Sequence, residues 1–138
     1  MKPYIKQVIF LAVFAMFLTV AAGPVPPQPN VQIEVVSPLP ATMNVGDTFT
    51  VEILVTSDVT FISAAAMPSA YYPGRYLVAQ GINIVHSGTT ATLYVTFTAK
   101  DPTGELPGGV APVSVVVGVR YPMGVLIAQR YDYLVAVN

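Results

Sequence analysis

Hydrophobic and polar residues follow two different patterns along the chain, and the change comes near residue 30. Residues 8–22 (VIFLAVFAMFLTVAA) are continuously apolar and uncharged. From Val31 onward, apolar and polar residues alternate with a period of two, which is the pattern of half-buried β-strands. No segment after residue 30 has the 3.6-residue period of an amphipathic helix, so we predict an all-β domain over residues 31–138.

The alternation predicts seven or eight short strands separated by turn sequences. Short strands at regular spacing, with no helix between them, favour a sandwich of two antiparallel sheets. We expect the immunoglobulin-like (Ig-like) arrangement, with a jelly roll as the alternative because strand number does not define strand order. The predicted strands are residues 31–36, 48–56, 59–66, 76–79, 82–86, 91–99, 113–121 and 125–137.

The apolar N-terminal segment has the features of a secretory signal peptide. Lys2 and Lys6 precede it, and Val20-Ala21-Ala22 ends it with small residues at the spacing that signal peptidase recognises. The apolar run is shorter than the roughly twenty residues of a membrane-spanning helix, although an uncleaved anchor remains the alternative. We therefore predict a signal helix in a signal peptide at residues 1–22, cleaved near Ala22, a proline-rich linker at 23–30 and one domain at 31–138.

Composition narrows the classes of function. Charged residues make up 9% of the chain, against about 25% in an average soluble domain. Without Lys2 and Lys6, four basic and seven acidic side chains remain, a net charge of 4 − 7 = −3, which argues against nucleic-acid binding. Because the chain has no cysteine, it has no disulfides, thiolate metal sites or cysteine nucleophiles.

Two segments resemble known extracellular domains. Residues 45–53 (VGDTFTVEI) are similar to the turn and second strand of many prokaryotic extracellular Ig-like domains, among them cohesin-like modules and adhesion-type surface repeats. Residues 88–100 (GTTATLYVTFTAK) resemble the strand that ends the middle hairpin of such domains. The resemblance implies an extracellular Ig-like fold. The aspartate-containing loops with which cohesins bind dockerins have no counterpart, so the resemblance assigns no binding residue.

No group of residues has the spacing of a catalytic or metal site. His86 is the only histidine, so a hydrolytic triad has no support. Arg130 and Asp132 lie two apart on a predicted strand and share a face, which favours a cross-strand ion pair, for example with Arg120 or Glu52. Asp101 and Glu105 are too sparse for a calcium loop and are typical of turns. We therefore predict a non-enzymatic protein with no metal and no cofactor.

An aromatic loop is the first candidate for binding. Tyr71, Tyr72 and Tyr76 flank Pro73-Gly74-Arg75. Such rings can stack on sugar faces, and tyrosine and arginine are also enriched in protein interfaces. We predict Tyr71, Tyr72, Arg75 and Tyr76 as binding residues for a glycan or a protein partner. The alternative is a loop that only covers the end of the sandwich.

The last two predicted strands are apolar on both faces. A strand with one face in water normally keeps that face polar, so a second apolar face indicates a contact surface unless residues 100–112 cover it. The linker would also allow residues 31–36 to add a strand to a neighbour's sheet, unless they pair within their own sandwich. The predicted self-association residues are Val31, Ile33, Val35, Val116, Leu126 and Leu134.

Together these features predict a secreted, non-enzymatic structural protein of the cell surface. Its expected partner is a second copy of itself, in a filament or envelope layer, or another surface component. The alternative is an extracellular glycan- or protein-binding module. Contact with a membrane is expected only through the N-terminal segment, before cleavage or if it stays uncleaved.

Overall fold

The alternating segments form eight strands, as seen in a computed structural model that describes residues 28–138. This confirms an all-β fold, since the described residues contain no α-helix and only single 3₁₀ turns at Pro107–Gly109 and Pro122–Gly124. The strands are β1 (Val31–Ser37), β2 (Thr42–Met43), β3 (Thr48–Ser57), β4 (Ser63–Ala70), β5 (Leu77–Ser87), β6 (Thr90–Ala99), β7 (Ala111–Arg120) and β8 (Leu126–Val137).

The strands form two sheets of four. Sheet A has the order β1-β3-β6-β5 and is antiparallel throughout. Sheet B has the order β2-β8-β7-β4, with β2 pairing in parallel with β8. The chain leaves sheet A after β1 and reaches sheet B as β2, and Pro38 and Pro40, which have no backbone N–H, lie at this crossing. Because β2 pairs only with Ala136 and Val137, most of one edge of β8 lacks a strand partner among residues 28–138.

The core lies between the sheets, and valine is its commonest residue. Inward residues of β3 such as Val51 and Ile53 face inward residues of β7 such as Val115 and Val117, all of them fully buried. Burial of one such side chain stabilises the fold by about 1.5–3 kcal/mol. Since the chain has no disulfides, this core and the backbone ladders are what hold the sheets together.

The outer face of sheet A is polar and rich in threonine. Threonines on β3 and β6 lie directly opposite one another, and their hydroxyls are hydrogen-bonded: Thr48 to Thr98 at 3.3 Å and Thr50 to Thr96 at 3.0 Å. Cross-strand pairs of this kind stabilise a sheet while leaving its surface neutral. This face explains how the domain remains polar on one side with so few charges.

Three strands differ from the sequence prediction. Gly81 does not separate two strands, because a bulge between Ala79 and Gly81 keeps β5 continuous. Strand β4 begins at Ser63 rather than at residue 59 and continues through Pro68, beyond the predicted end at residue 66. The Tyr71 amide donates to the Pro112 carbonyl, so odd-numbered residues of β4 bond to β7. The backbone nitrogen of residue 68 therefore points away from β7, and a proline there removes no hydrogen bond. Strand β2 was not predicted, since two residues give no periodicity.

Two tyrosine hydroxyls join the sheets. The Tyr121 hydroxyl is hydrogen-bonded to Ser57 Oγ at 2.7 Å in a buried position. The Tyr131 hydroxyl, on β8, donates to the backbone carbonyl of Ile33 on β1 at 3.0 Å. Burial raises the pKa of Tyr131 to about 12. The Tyr131 bond connects β1, an edge strand of sheet A, to sheet B, and the Tyr121 bond is made by the end of β3, an inner strand of sheet A.

The predicted signal peptide at residues 1–22, and the linker as far as Pro27, lie outside the described residues. Within residues 28–138, no helix is long and apolar enough to cross a membrane.

The Tyr131 hydrogen bond generates a stability prediction. Replacing Tyr131 with Phe should lower the free energy of unfolding by about 1 kcal/mol near pH 8, because it removes one partly buried hydrogen bond. The pKa is higher in the folded state than in the unfolded chain, so the protonated hydroxyl favours folding below about pH 10. This advantage is lost as the pH rises through about 12.

The difference between wild type and Tyr131→Phe should therefore shrink between pH 10 and pH 12, as measured by urea unfolding across that range. Tyr94→Phe on the outer face of sheet A is the matched control. A difference between wild type and Tyr131→Phe that does not change with pH would contradict this account.

Candidate functional site

The loop between β4 and β5 brings together the four residues predicted to bind a ligand. The ring centroids of Tyr71 and Tyr72 are 4.5 Å apart in an edge-to-face arrangement, and those of Tyr71 and Tyr76 are 6.5 Å apart and nearly parallel. Tyr71 and Tyr72 are exposed, with 56% of Tyr72 accessible, but Tyr76 is buried. Only the first two rings could therefore stack on a ligand from solvent.

Arg75 and Tyr76 are held by Glu105, which comes from the loop between β6 and β7. The Glu105 Oε1 atom accepts hydrogen bonds from Arg75 Nη2 at 2.7 Å and from the Tyr76 hydroxyl at 2.6 Å. The hydrogen bond to this carboxylate raises the pKa of Tyr76. The Arg75 guanidinium also lies 4.9 Å from the centroid of the Tyr76 ring. Sequence reasoning had assigned Glu105 to a turn and missed this contact, because the two loops are distant along the chain.

The backbone at Tyr72 adopts an uncommon conformation. Its φ is +45°, in the left-handed region that normally favours glycine. A non-glycine residue in this region costs about 1–2 kcal/mol. Such costs are concentrated at functional positions in proteins, and here the conformation belongs to the more exposed of the two rings.

Tyr71 also borders a shallow cleft at the end of sheet B, with a volume of about 210 Å³. The Arg130 Nε atom lies 3.1 Å from Asp132 Oδ1, so these two side chains pair with each other along β8 rather than across strands with Arg120 or Glu52. The volume is below the roughly 300–1,000 Å³ of pockets for drug-sized ligands, so the cleft suits a single small ring or a chain end. Its polar and aromatic lining residues are Ser69, Tyr71, Ser114, Arg130 and Asp132.

A second surface lies on the outer face of sheet B, where exposed leucines and small apolar residues share the face with Arg120, Arg130 and Asp132. Leu126 is 52% exposed and Leu134 is 61% exposed, so residues 100–112 do not cover them. Leu126 lies over Gly118, where an added Cβ would be 3.7 Å from Leu126 Cδ1. We call this surface the sheet B outer face, and it comprises Ala65, Met67, Val116, Gly118, Leu126, Ala128 and Leu134.

The shape of this face would allow a close approach by another molecule. Ala65, Gly118 and Ala128 lie side by side on β4, β7 and β8 and form a row without large side chains. The next row contains exposed Met67 and half-buried Val116. The Arg130–Asp132 pair interrupts the apolar area between Leu126 and Leu134.

The three predicted self-association residues on β1 have a different environment. Val31, Ile33 and Val35 are partly buried and pack against the core of their own domain. Strand β1 pairs with β3 of the same chain, from Val31 opposite Ser57 to Ser37 opposite Glu52. Strand β1 therefore pairs within its own sheet, which is the alternative given above to its addition to the sheet of a neighbouring molecule.

The remaining titratable residues are dispersed. The His86 ring stacks on the Phe61 ring, with centroids 4.4 Å apart and planes 7° apart. Across residues 28–138, no three histidine or acidic side chains lie close enough together to hold a metal ion. No protein-family model matches the chain, and no curated protein matches its sequence, so its function is inferred from these surfaces.

The left-handed backbone at Tyr72 generates a prediction. Tyr72→Gly should be more stable to urea than Tyr72→Ala by about 1 kcal/mol, because only glycine adopts this φ without a steric cost. Both variants lose the same ring contact with Tyr71. At Tyr71 the backbone φ is not positive, so there the alanine variant should be the more stable one. The same order at both positions would contradict the assignment of strain to Tyr72.

Proposed function

We propose that this protein is a secreted, non-enzymatic structural protein of the cell surface, with an Ig-like fold, that assembles with copies of itself into a filament or envelope layer. The observation that carries the proposal is the exposed apolar surface of the sheet B outer face. In monomeric soluble proteins, contiguous exposed apolar areas commonly mark contact surfaces.

The strand order supports the Ig-like part of the proposal. The sheet order β1-β3-β6-β5 corresponds to the A-B-E-D sheet of immunoglobulin domains, and β8-β7-β4 corresponds to the G-F-C sheet. The Val45-Gly46-Asp47 turn leads into β3, the second strand of the sheet order, as in the extracellular domains that the sequence resembles. This order favours the Ig-like arrangement over a jelly roll.

The contrast between the two outer faces supports self-association through sheet B. Two pairs of threonine hydroxyls lie on the outer face of sheet A, where Val85 is the large apolar residue most exposed, whereas Met67, Leu126 and Leu134 are all exposed on sheet B. Full burial of a leucine contributes about 1.5–3 kcal/mol, so several such side chains from two copies can offset part of the cost of association. With a mature net charge of −3, long-range repulsion between copies is small.

Surface substitutions test this contact. Leu126→Lys and Leu134→Lys should each shift the protein toward monomer in sedimentation velocity, because a lysine ammonium would lose its hydration in the contact. We expect each to weaken association about tenfold, equivalent to about 1.4 kcal/mol. Val59→Lys, which adds the same charge at an exposed position in the loop before β4, is the control. Equal association by all three variants and the wild type would rule out this face as the contact.

Export can be tested separately. If Lys2, Lys6 and the apolar run act as a signal peptide, protein recovered from the medium of an expressing prokaryote should begin at Gly23. N-terminal sequencing and intact mass measure this directly. Protein that stays inside the cell with Met1 intact would contradict the proposed location.

A second candidate function has a specific observation in its favour. The exposed rings of Tyr71 and Tyr72 stand beside a cleft that contains the Arg130–Asp132 pair, and this combination of aromatic and polar groups is suited to a glycan. Tyr72→Ala should abolish retention on glycan arrays while leaving sedimentation unchanged, and Tyr94→Phe is the control. Retention that survives Tyr72→Ala would exclude this site.

A further inference from the structure

Each sheet has two edges, and their unpaired backbone groups differ in how they are protected. Strands β1 and β5 form the edges of sheet A, and β4 and most of β8 form those of sheet B. An edge strand presents unpaired N–H and C=O groups that can pair with another chain, and natural proteins block such edges with charges, prolines or covering groups. Within residues 28–138, three of the four edges carry protection of this kind.

The protected edges can be identified residue by residue. On β1, the Ile33 carbonyl accepts a hydrogen bond from the Tyr131 hydroxyl. On β4, Pro68 removes an N–H that would otherwise point outward. On β8, Arg130 and Asp132 place charges along the open edge.

The open edge of β5 can be derived from the ladder of its neighbour β6. The Ser57 amide donates to the Thr89 carbonyl, and Ala99 exchanges hydrogen bonds with Gly46 and Asp47, so odd-numbered residues of β6 point their backbone groups toward β3. The Lys100 amide donates to the Tyr76 carbonyl, so even-numbered residues of β6 point their backbone groups toward β5.

The register between β5 and β6 then assigns the outward groups. Asn83 and Val85 lie opposite Tyr94 and Thr92 and are bonded to β6. Ile82, Ile84 and His86 lie opposite odd-numbered residues of β6, which bond to β3 instead. The N–H and C=O groups of these three residues therefore point away from the sheet.

This edge lacks the protection found on the other three. Strand β5 contains no aspartate, glutamate, lysine, arginine or proline, and its bulge between Ala79 and Gly81 precedes the outward residues Ile82, Ile84 and His86. Ile82 is 46% exposed and Ile84 is 40% exposed, although both lie opposite fully buried residues of β6 and so point to the inner side of the sheet.

We propose that β5 pairs antiparallel with β5 of a second copy, so that sheet A continues across the two molecules. This inference rests on the proposed self-assembly and identifies one of its contacts. A two-fold axis at Ile84 would place Ile84 opposite its own copy and Ile82 opposite His86. Two hydrogen bonds at each of three such pairs give about six new backbone hydrogen bonds.

A second copy is the occupant that the chemistry of β5 fits. Symmetric pairing places the residue on the axis opposite its own copy, so a charge at that position would meet a like charge and destabilise the pair. Strand β5 has no acidic or basic side chain apart from His86, which would meet Ile82 rather than itself. The exposed Ile84 side chains would bury one another.

This contact is on sheet A, whereas the face proposed above belongs to sheet B. A molecule with two separate self-complementary contacts is not limited to a dimer: it forms an open chain unless the two-fold axes intersect and close a tetramer. The pairing of β5 strands therefore provides the second contact that a filament requires.

Charge reversal at the axis tests the pairing. Ile84→Lys and Ile84→Glu should each weaken association at least about tenfold, because like charges would face one another at the centre of the contact. An equimolar mixture of the two variants should recover association, since lysine then faces glutamate. Val59→Lys and Val59→Glu, separately and mixed, are the matched controls and should behave as wild type in sedimentation velocity.

Hydrogen exchange on the unsubstituted protein gives a readout that does not depend on how the variants fold. The amides of Ile82, Ile84 and His86 should exchange more slowly as protein concentration rises, whereas those of Asn83 and Val85 should be protected at every concentration. Oligomers without this alternation, or unaffected by the Ile84 variants, would overturn β5 pairing and leave the proposed assembly standing. A wild type that is monomeric at all concentrations would overturn both.

Discussion

Backbone hydrogen bonding at the sheet edges is the constraint on which the surface of this protein depends. Every inner strand satisfies its N–H and C=O groups with two neighbours, but four edges cannot. Three of the edges are protected by very few residues. The Tyr131 hydroxyl bonds to the Ile33 carbonyl of β1, Pro68 lies on β4, and the Arg130–Asp132 pair lies on β8. The edge of β5 has none of these features and remains a site for strand addition.

The outer faces of the two sheets differ in their chemistry, although both carry few charges. On sheet A, threonine hydroxyls bond to one another across β3 and β6, which makes a neutral but hydrophilic surface. On sheet B, Leu126 and Leu134 are exposed beside a row of alanine and glycine. A domain without disulfides depends on its core for stability, so apolar residues on an outer face are better explained by contact with another molecule than by folding.

Local pattern predicted the fold class but could not predict the edges. Alternation over residues 48–56 and 91–99 identified β3 and β6 to within one residue, because both strands are buried on one face and exposed on the other. The same reasoning divided β5 at Gly81, since a bulge uses an extra residue and breaks the period of two. Which strand forms an edge depends on strand order, and neither composition nor period encodes that order.

The candidate surfaces also contain some features that local sequence predicts and others that it does not. The clustering of Tyr71 and Tyr72 follows from their adjacency in sequence, and the exposure of Leu126 and Leu134 follows from doubly apolar strands. The contact of Glu105 with Arg75 joins two loops 30 residues apart and has no local signal. The burial of Tyr76 and the packing of Ile33 on its own core also depend on tertiary neighbours, which the sequence pattern does not reveal.

The central claim is that the exposed apolar and edge surfaces of this domain are covered by further copies of the same chain. Sedimentation equilibrium of the purified wild-type protein over a wide concentration range tests it most directly. The account predicts a weight-average mass that rises with concentration beyond that of a dimer. A mass that stays at the monomer value up to the highest soluble concentration would contradict it.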